Sequence, residues 1–221
     1  MRVYCVSNDS EMFIFHDVRN ERGLRPQDHA AYVDALTKIG YDVPDCNTPE
    51  IMDPSLEHYK MALGEALGGR FTEVRRFHKS IEGSGLGIIS SRHGLMDSEK
   101  EVLPYQCAAE GRRDVVRLDD RTSFTGSLME IHRSYDIILL FLPRAYTELI
   151  LERWEGSMTG MIFVTSESLF KTLEKRGALA LPRRGARIGK HNLQPILEEL
   201  RRNGWCGRRD LNPSSKLGKL K

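Results

Sequence analysis

Four short polar stretches, each at the end of a run of apolar residues, hold most of the side chains that could do chemistry in this 221-residue chain. Ser7, Asn8 and Asp9 close the first run, residues 2–7, and Ser90, Ser91, Arg92 and His93 close the second, residues 86–90. Arg144 follows the third, residues 135–142, and Ser166 and Glu167 follow the fourth, residues 160–165. Together these positions supply hydroxyls, two guanidinium groups, one imidazole and two carboxylates. Such a set suits a phosphate, a nucleobase or a sugar. Arg92 and Arg144 would hold phosphate or stabilise developing negative charge, and Asp9 or His93 would position water or move a proton.

The elements that must position these groups follow from patterning. Continuous apolar runs without alternation suit central parallel strands covered on both faces. Between them lie helical patterns. Residues 27–39 carry Ala30, Val33, Leu36 and Ile39 at three-residue steps and stop at Gly40. Asp53 and Pro54 suit the start of a helix to about residue 67, and Phe71, Val74, Phe77 and Ile81 mark another. Residues 148–154, 168–175 and 193–202 complete the set. Strand–helix alternation predicts a three-layer α/β domain with a central, mainly parallel sheet of about four strands, whose ligands bind at the carboxyl ends of the strands. The predicted organisation is an α/β domain over 1–181, a basic segment and helix over 182–204, and a tail over 205–221. Two long connections, 14–26 and the Arg- and Asp-rich 107–125, are expected to be functional or mobile loops.

The second polar stretch is the most informative. Ile88-Ile89-Ser90-Ser91-Arg92-His93-Gly94-Leu95-Met96, followed by Glu101-Val102-Leu103-Pro104-Tyr105, allows Gly94 to take positive φ and turn the chain off the strand. Ser90 and Ser91 would offer hydroxyls and backbone N–H groups to an anion beside Arg92. Tyr105 would either stack on a base or, with Pro104, merely fix the loop. The segment resembles the Ser-x-x-Tyr-Gly-Leu…Pro-Tyr signature shared by the bacterial peroxide-stress-resistance family and a related domain of unknown function. A looser version occurs in the uracil-DNA-glycosylase-like part of archaeosine synthases. Ser90, Arg92, Gly94, Leu95, Pro104 and Tyr105 match; His93 stands where tyrosine is usual, and Gln106-Cys107 follows where the peroxide family has Arg-Leu-Glu-Met. The domain-of-unknown-function branch is the better fit. The resemblance implies a nucleobase, nucleoside or nucleic acid as substrate class, with glycosylase- or transferase-like chemistry.

Other constellations are weaker. The seven histidines show no HxH or HExxH spacing, so neither metal nor cofactor is expected. Gly83-Ser84-Gly85-Leu86-Gly87 precedes a strand instead of joining strand to helix, so it reads as a turn. Ser90, His93 and Asp9 lack a nucleophile elbow. The four cysteines, 5, 46, 107 and 206, form no CxxC pair, and they predict reduced thiols in a cytoplasmic protein. No apolar run approaches the ~20 residues of a membrane span, and residues 1–6 lack the pattern of a signal peptide.

Charge is lopsided. Net charge is +2, yet residues 182–221 hold eleven Lys/Arg against three Asp/Glu. Arg183, Arg184, Arg187 and Lys190 form a patch suited to phosphate contacts or to a solvated linker. On this reading the partner is nucleic acid or a nucleotide, and the alternative to an enzyme is a non-catalytic nucleic-acid-binding module that uses the patch over 183–191 and the loop 107–125. Part of the basic signal has another source. Trp205 can be written TGG, the complement of a CCA end, and residues 209–213 as the complement of a tRNA T-arm. Residues 215–221 can be written as the complement of an anticodon arm. The tail therefore reads as the frame running antisense into a tRNA gene, whose coding DNA would carry those arms on its opposite strand. Such genes are common integration sites, which adds a small-ligand sensor of a mobile element to the alternatives.

Overall fold

The computed structural model describes residues 1–9, 26–67, 71–109, 111–184, 187–189 and 191–204. The expected long loop 14–26 falls almost wholly outside these, as do Lys190 and the tail 205–221. The α/β class holds, with more strands than patterning predicts. A six-stranded, mainly parallel sheet runs in the order β4-β3-β1-β6-β7-β8. Its strands are β1 (Val3–Asn8), β3 (Gly85–Ser90), β4 (Gly94–Asp97), β6 (Ile137–Phe141), β7 (Met161–Thr165) and β8 (Leu179–Pro182). The two extra strands are short: β4 is antiparallel to β3, and β8 is parallel to β7. With four residues each, neither makes a long apolar run.

The chain forms two compact units, one of Met1–Ser7, Glu73–Leu86 and Thr125–Lys221, the other of Asn8–Thr72 and Gly87–Phe124. In the first unit β1, β6, β7 and β8 pair in parallel, with Cys5 opposite Leu139 and Leu140 opposite Phe163. β6 and β7 are buried at every position, which is why their sequences are apolar without alternation. The unit's described helices include α5 (Phe124–Ser134, from its second residue), α6 (Arg144–Arg153), α7 (Phe170–Lys175) and α8 (Leu193–Arg202). α8 buries Ile196, Leu197 and Leu200 and exposes Glu198, Arg201 and Arg202, an amphipathic stripe at helical spacing.

The second unit has its own core of Tyr32, Leu36, Ile51 and Leu56, with Ile39, Val43, Tyr59 and Leu103 packed against it. Tyr32 and Leu36 come from α1 (Pro26–Lys38). Three sequence expectations change here. The helix predicted from residue 54 to 67 is a 3-10 turn at Pro54–Tyr59, then β2 (Met61–Ala62) paired antiparallel with β5 (Glu101–Val102), then a single turn, α2 (Leu63–Ala66). Asp53 does cap that start, its carboxylate accepting from the Ser55 N–H at 2.8 Å. The long loop 107–125 contains α4 (Arg112–Thr122), whose buried Val115 and Leu118 are one helical step apart. Its many charges hid a two-residue apolar stripe.

The third correction concerns cysteine. Cys46 and Cys107 are joined in a disulfide, whereas Cys5 is a buried free thiol. The pair stands 61 positions apart in sequence, so spacing carries no sign of it. The fold brings the segments together: the Gln106 N–H donates to the Pro44 carbonyl at 2.8 Å.

Candidate functional site

A buried polar network in the second unit joins Asp9, set after the first apolar run, with Ser90 and Ser91, set after the second, and with Tyr105. Asp9 is only 5% exposed, and the Asp9 N–H donates to the Ile89 carbonyl of β3 at 3.0 Å. Its carboxylate accepts from the Ser91 N–H at 2.6 Å, the Ser91 hydroxyl at 2.7 Å and the Tyr105 hydroxyl at 3.0 Å. Tyr105 has one hydroxyl proton, and Asp9 receives it. The 2.6 Å contact between Ser90 and Tyr105 therefore has Ser90 as donor. The Ser90 oxygen in turn accepts from the backbone N–H groups of Arg92 (3.1 Å) and His93 (3.0 Å), closing the turn after β3. Burial, with the adjacent Asp9 carboxylate, pushes the Tyr105 phenol well above its ordinary range, so it stays a donor.

Gly94 completes that turn as expected. Its φ is +77°, and a Cβ there would lie 2.5 Å from the Thr122 side chain. Both the conformation and the close approach of α4 require glycine.

Beside the network opens a cleft of about 350 Å³, lined by residues 46–50 together with Arg92, His93 and Arg121. Its rim is built locally. The Asp45 carboxylate accepts from the N–H groups of Asn47 and Thr48 and from the Thr48 hydroxyl, at 2.7–2.8 Å. These bonds, the Thr48 hydroxyl first, hold Asp45 below the usual carboxylate range. Arg92 then clamps the rim, its two terminal nitrogens donating to the carbonyls of Asp45 (2.7 Å) and Pro49 (3.0 Å). The Cys46–Cys107 disulfide ties the same rim to the chain beyond Tyr105.

Three groups meet the open space. Among the described residues Arg121 donates one hydrogen bond, to the Ser91 carbonyl at 2.9 Å, so most of its five N–H groups are uncommitted there. Glu50 has no hydrogen-bond partner among the described residues. The His93 ring stands edge-on to Tyr105, centroids 5.5 Å apart, and its nitrogens have no protein partner among the described residues. Burial, then the neighbouring Arg92 guanidinium, pulls His93 from 6.5 down to about 4, with Glu50 opposing and Arg121 adding to the shift. At neutral pH the cleft thus presents an uncharged imidazole between two cations. That arrangement can bind an anion and accept a proton beside it.

The His93 shift carries a stability consequence. Above pH 6.5 neither folded nor unfolded His93 is charged; between 6.5 and about 4 the unfolded chain binds the proton first. Stability therefore falls as pH drops through that window and levels below it, by about 1–2 kcal/mol after allowing for the part of the ring that solvent screens. Urea midpoints at pH 7.0 and 4.5 should differ less for His93→Gln than for the wild type. Equal differences would remove His93 as the cause.

The other sequence candidates have different placements. Tyr105 is fully buried with its hydroxyl engaged, so it presents no ring face for a base; it fixes the loop. Arg92 is occupied with the rim carbonyls and acts on the cleft mainly by its charge. Asn8 is buried, donating from its amide to the Asp9 carbonyl. The remaining candidates belong to the first unit. Ser7 is buried at the end of β1, where Arg187 donates to its hydroxyl. Arg187 is 1% exposed, and its backbone N–H, like that of Ile188, donates to Glu73. Its side chain is thus interior and offers no phosphate contact at the surface. Arg184 forks onto Glu167 at 2.7 and 3.0 Å, and Arg144 pairs with Glu148 at 2.6 Å. Arg144, Ser166 and Arg183 line an open groove of about 480 Å³ with Pro143 and Glu167.

Sequence reasoning missed Arg121, Glu50 and Cys46. Arg121 was hidden in the supposed loop 107–125. Glu50 and Cys46 lie in a stretch with neither period nor motif, where only the fold shows that they flank His93. Among the described residues no three His, Cys, Asp or Glu side chains gather where they could hold a metal ion, and no helix is long and apolar enough to cross a membrane. Comparison with family models, curated proteins and solved structures found no match.

Proposed function

We propose that the Asp9–Tyr105 unit is a nucleotide-directed domain whose cleft takes a nucleoside phosphate. The observation that carries this reading is the neutral His93 between Arg92 and Arg121 in a cleft of about 350 Å³, within the range of small-ligand sites. Arg121 is the phosphate ligand, since its donors are the least committed. His93 accepts a hydrogen bond or a proton from the sugar, the base or an attacking water. Asp9, Ser90, Ser91 and Tyr105 are positioning residues that fix the turn carrying Arg92 and His93. The nucleobase class draws its support from the resemblance of residues 88–105 to the glycosylase-related signature. In this proposal the protein works in the cytoplasm, where the disulfide is a reversible state. A glycosylase- or transferase-like enzyme and a ligand sensor of a mobile element would share this cleft; release of free base distinguishes them.

The test is titration calorimetry of the full chain with the four nucleoside monophosphates, their nucleosides and inorganic phosphate, with product analysis by chromatography. We expect at least one monophosphate to bind, and the matching nucleoside and the Arg121→Ala variant each to bind at least tenfold more weakly, about 1.4 kcal/mol. Absence of binding by every monophosphate, or an Arg121→Ala protein that binds as the wild type does, would overturn the reading.

A further inference from the structure

Cys46 lines the cleft, whereas Cys107, its disulfide partner, is not among the lining residues. Both are half-buried, and of the two it is Cys46 that lines the open space beside Arg92, His93 and Arg121. Among the described residues the lining has two cations and one carboxylate, Glu50, a local excess of positive charge that attracts an anionic nucleophile. The remaining described cysteine offers no competition: Cys5 is wholly buried, and burial pushes its thiol up to about 12.

We infer that Cys46 is a thiol–disulfide exchange site for a small anionic thiol entering through the cleft. The thiolate attacks Cys46 Sγ, forming a mixed disulfide there. The Cys46–Cys107 bond breaks, and its electron pair leaves on Cys107 Sγ, which takes a proton from water. A second thiolate then attacks the mixed disulfide, leaving both cysteines reduced and the two small thiols oxidised to their disulfide. Exchange removes the covalent tie between the rim 45–50 and the chain beyond Tyr105, leaving the Arg92 clamp, the local turns and the neighbouring Gln106–Pro44 bond to hold it. Redox state thereby sets the order of the cleft. The inference uses the same cleft as the nucleotide reading but does not require that its ligand be a nucleotide.

The test exposes the native full chain to limiting glutathione, 2-mercaptoethanol or cysteamine, followed by acid quench, alkylation and peptide mapping by mass spectrometry. Peptides containing Cys206, which lies outside the described residues, separate on digestion. We expect the adduct on Cys46 to exceed that on Cys107 at least tenfold. Relative to their rates on a free disulfide, anionic glutathione should outpace cationic cysteamine severalfold at low salt, and Arg121→Ala should narrow that gap. In the reduced chain, amide exchange at 45–50 should quicken at least tenfold. An adduct mainly on Cys107, reduction only in denaturant, no charge order among the thiols, or unchanged exchange at 45–50 would each overturn it. Because none of these readouts involves a nucleotide, failure of the calorimetric test leaves them unaffected.

Discussion

Asp9→Ala should lower the stability of the second unit by about 3–5 kcal/mol, read as the shift of its urea unfolding transition. The carboxylate is buried and accepts at least three hydrogen bonds, from the Ser91 N–H, the Ser91 hydroxyl and Tyr105. Truncation strands all three donors, each costing about 1–3 kcal/mol when left buried and unsatisfied, and partial relaxation keeps the total below the sum. Against a typical net stability of 5–15 kcal/mol this is a large share. Asp9→Asn keeps the shape and one acceptor, so its cost should be about half as large. Tyr105→Phe separates the contributions, since it removes the bonds to Ser90 and Asp9 while leaving both bonds from Ser91. A cost below about 1 kcal/mol for Asp9→Ala would mean that the network is incidental to the fold. The nucleotide reading adds that Asp9→Asn weakens binding through the displaced turn, with no direct contact to the ligand.

That network also marks how far the sequence could be read. The strands containing Ile138 and Phe163 announced themselves because burial on both faces leaves no room for polar residues. The turn at Ser90–Gly94 was legible because a serine after a strand and a glycine at positive φ are local requirements. Asp9 and Ser91, grouped by their position after strands, do meet in hydrogen bonds, whereas Ser7, Arg144 and Ser166 from the same grouping lie in the other unit. What could not be read was which groups face inward. Tyr105 and Arg187 look like surface ligands in sequence, yet both are interior, and only their partners reveal it. Arg121 and Glu50 carry the cleft's exposed charge but lie in segments where no period or motif singles them out. Likewise α4 was concealed because a short helix needs only Val115 and Leu118 to dock. The nonlocal pairing of 44–46 with 105–107 has no sequence signal at all.

Replacing both Cys46 and Cys107 with alanine should reduce the stability of the second unit by about 2–4 kcal/mol. Both cysteines belong to that unit, so the cross-link closes a loop of roughly sixty residues within one compact body. Chain-entropy arguments assign such a loop about 4 kcal/mol of constraint on the unfolded state, and measured values commonly fall short of it. The native state retains other ties across the junction: the Gln106 N–H on Pro44, and the Arg92 clamp on Asp45 and Pro49. Folding of the double variant should therefore survive while the rim loosens. Reduction of the wild-type chain with a dithiol should shift the urea midpoint by a similar amount, and reductant should leave the variant unchanged. A variant as stable as the oxidised wild type would mean that the bond constrains nothing that the rim contacts do not already fix. The ordering of effects is itself informative. If cleft binding weakens more than the global stability loss predicts, the disulfide acts on the rim specifically, as its position beside Arg92 and His93 implies.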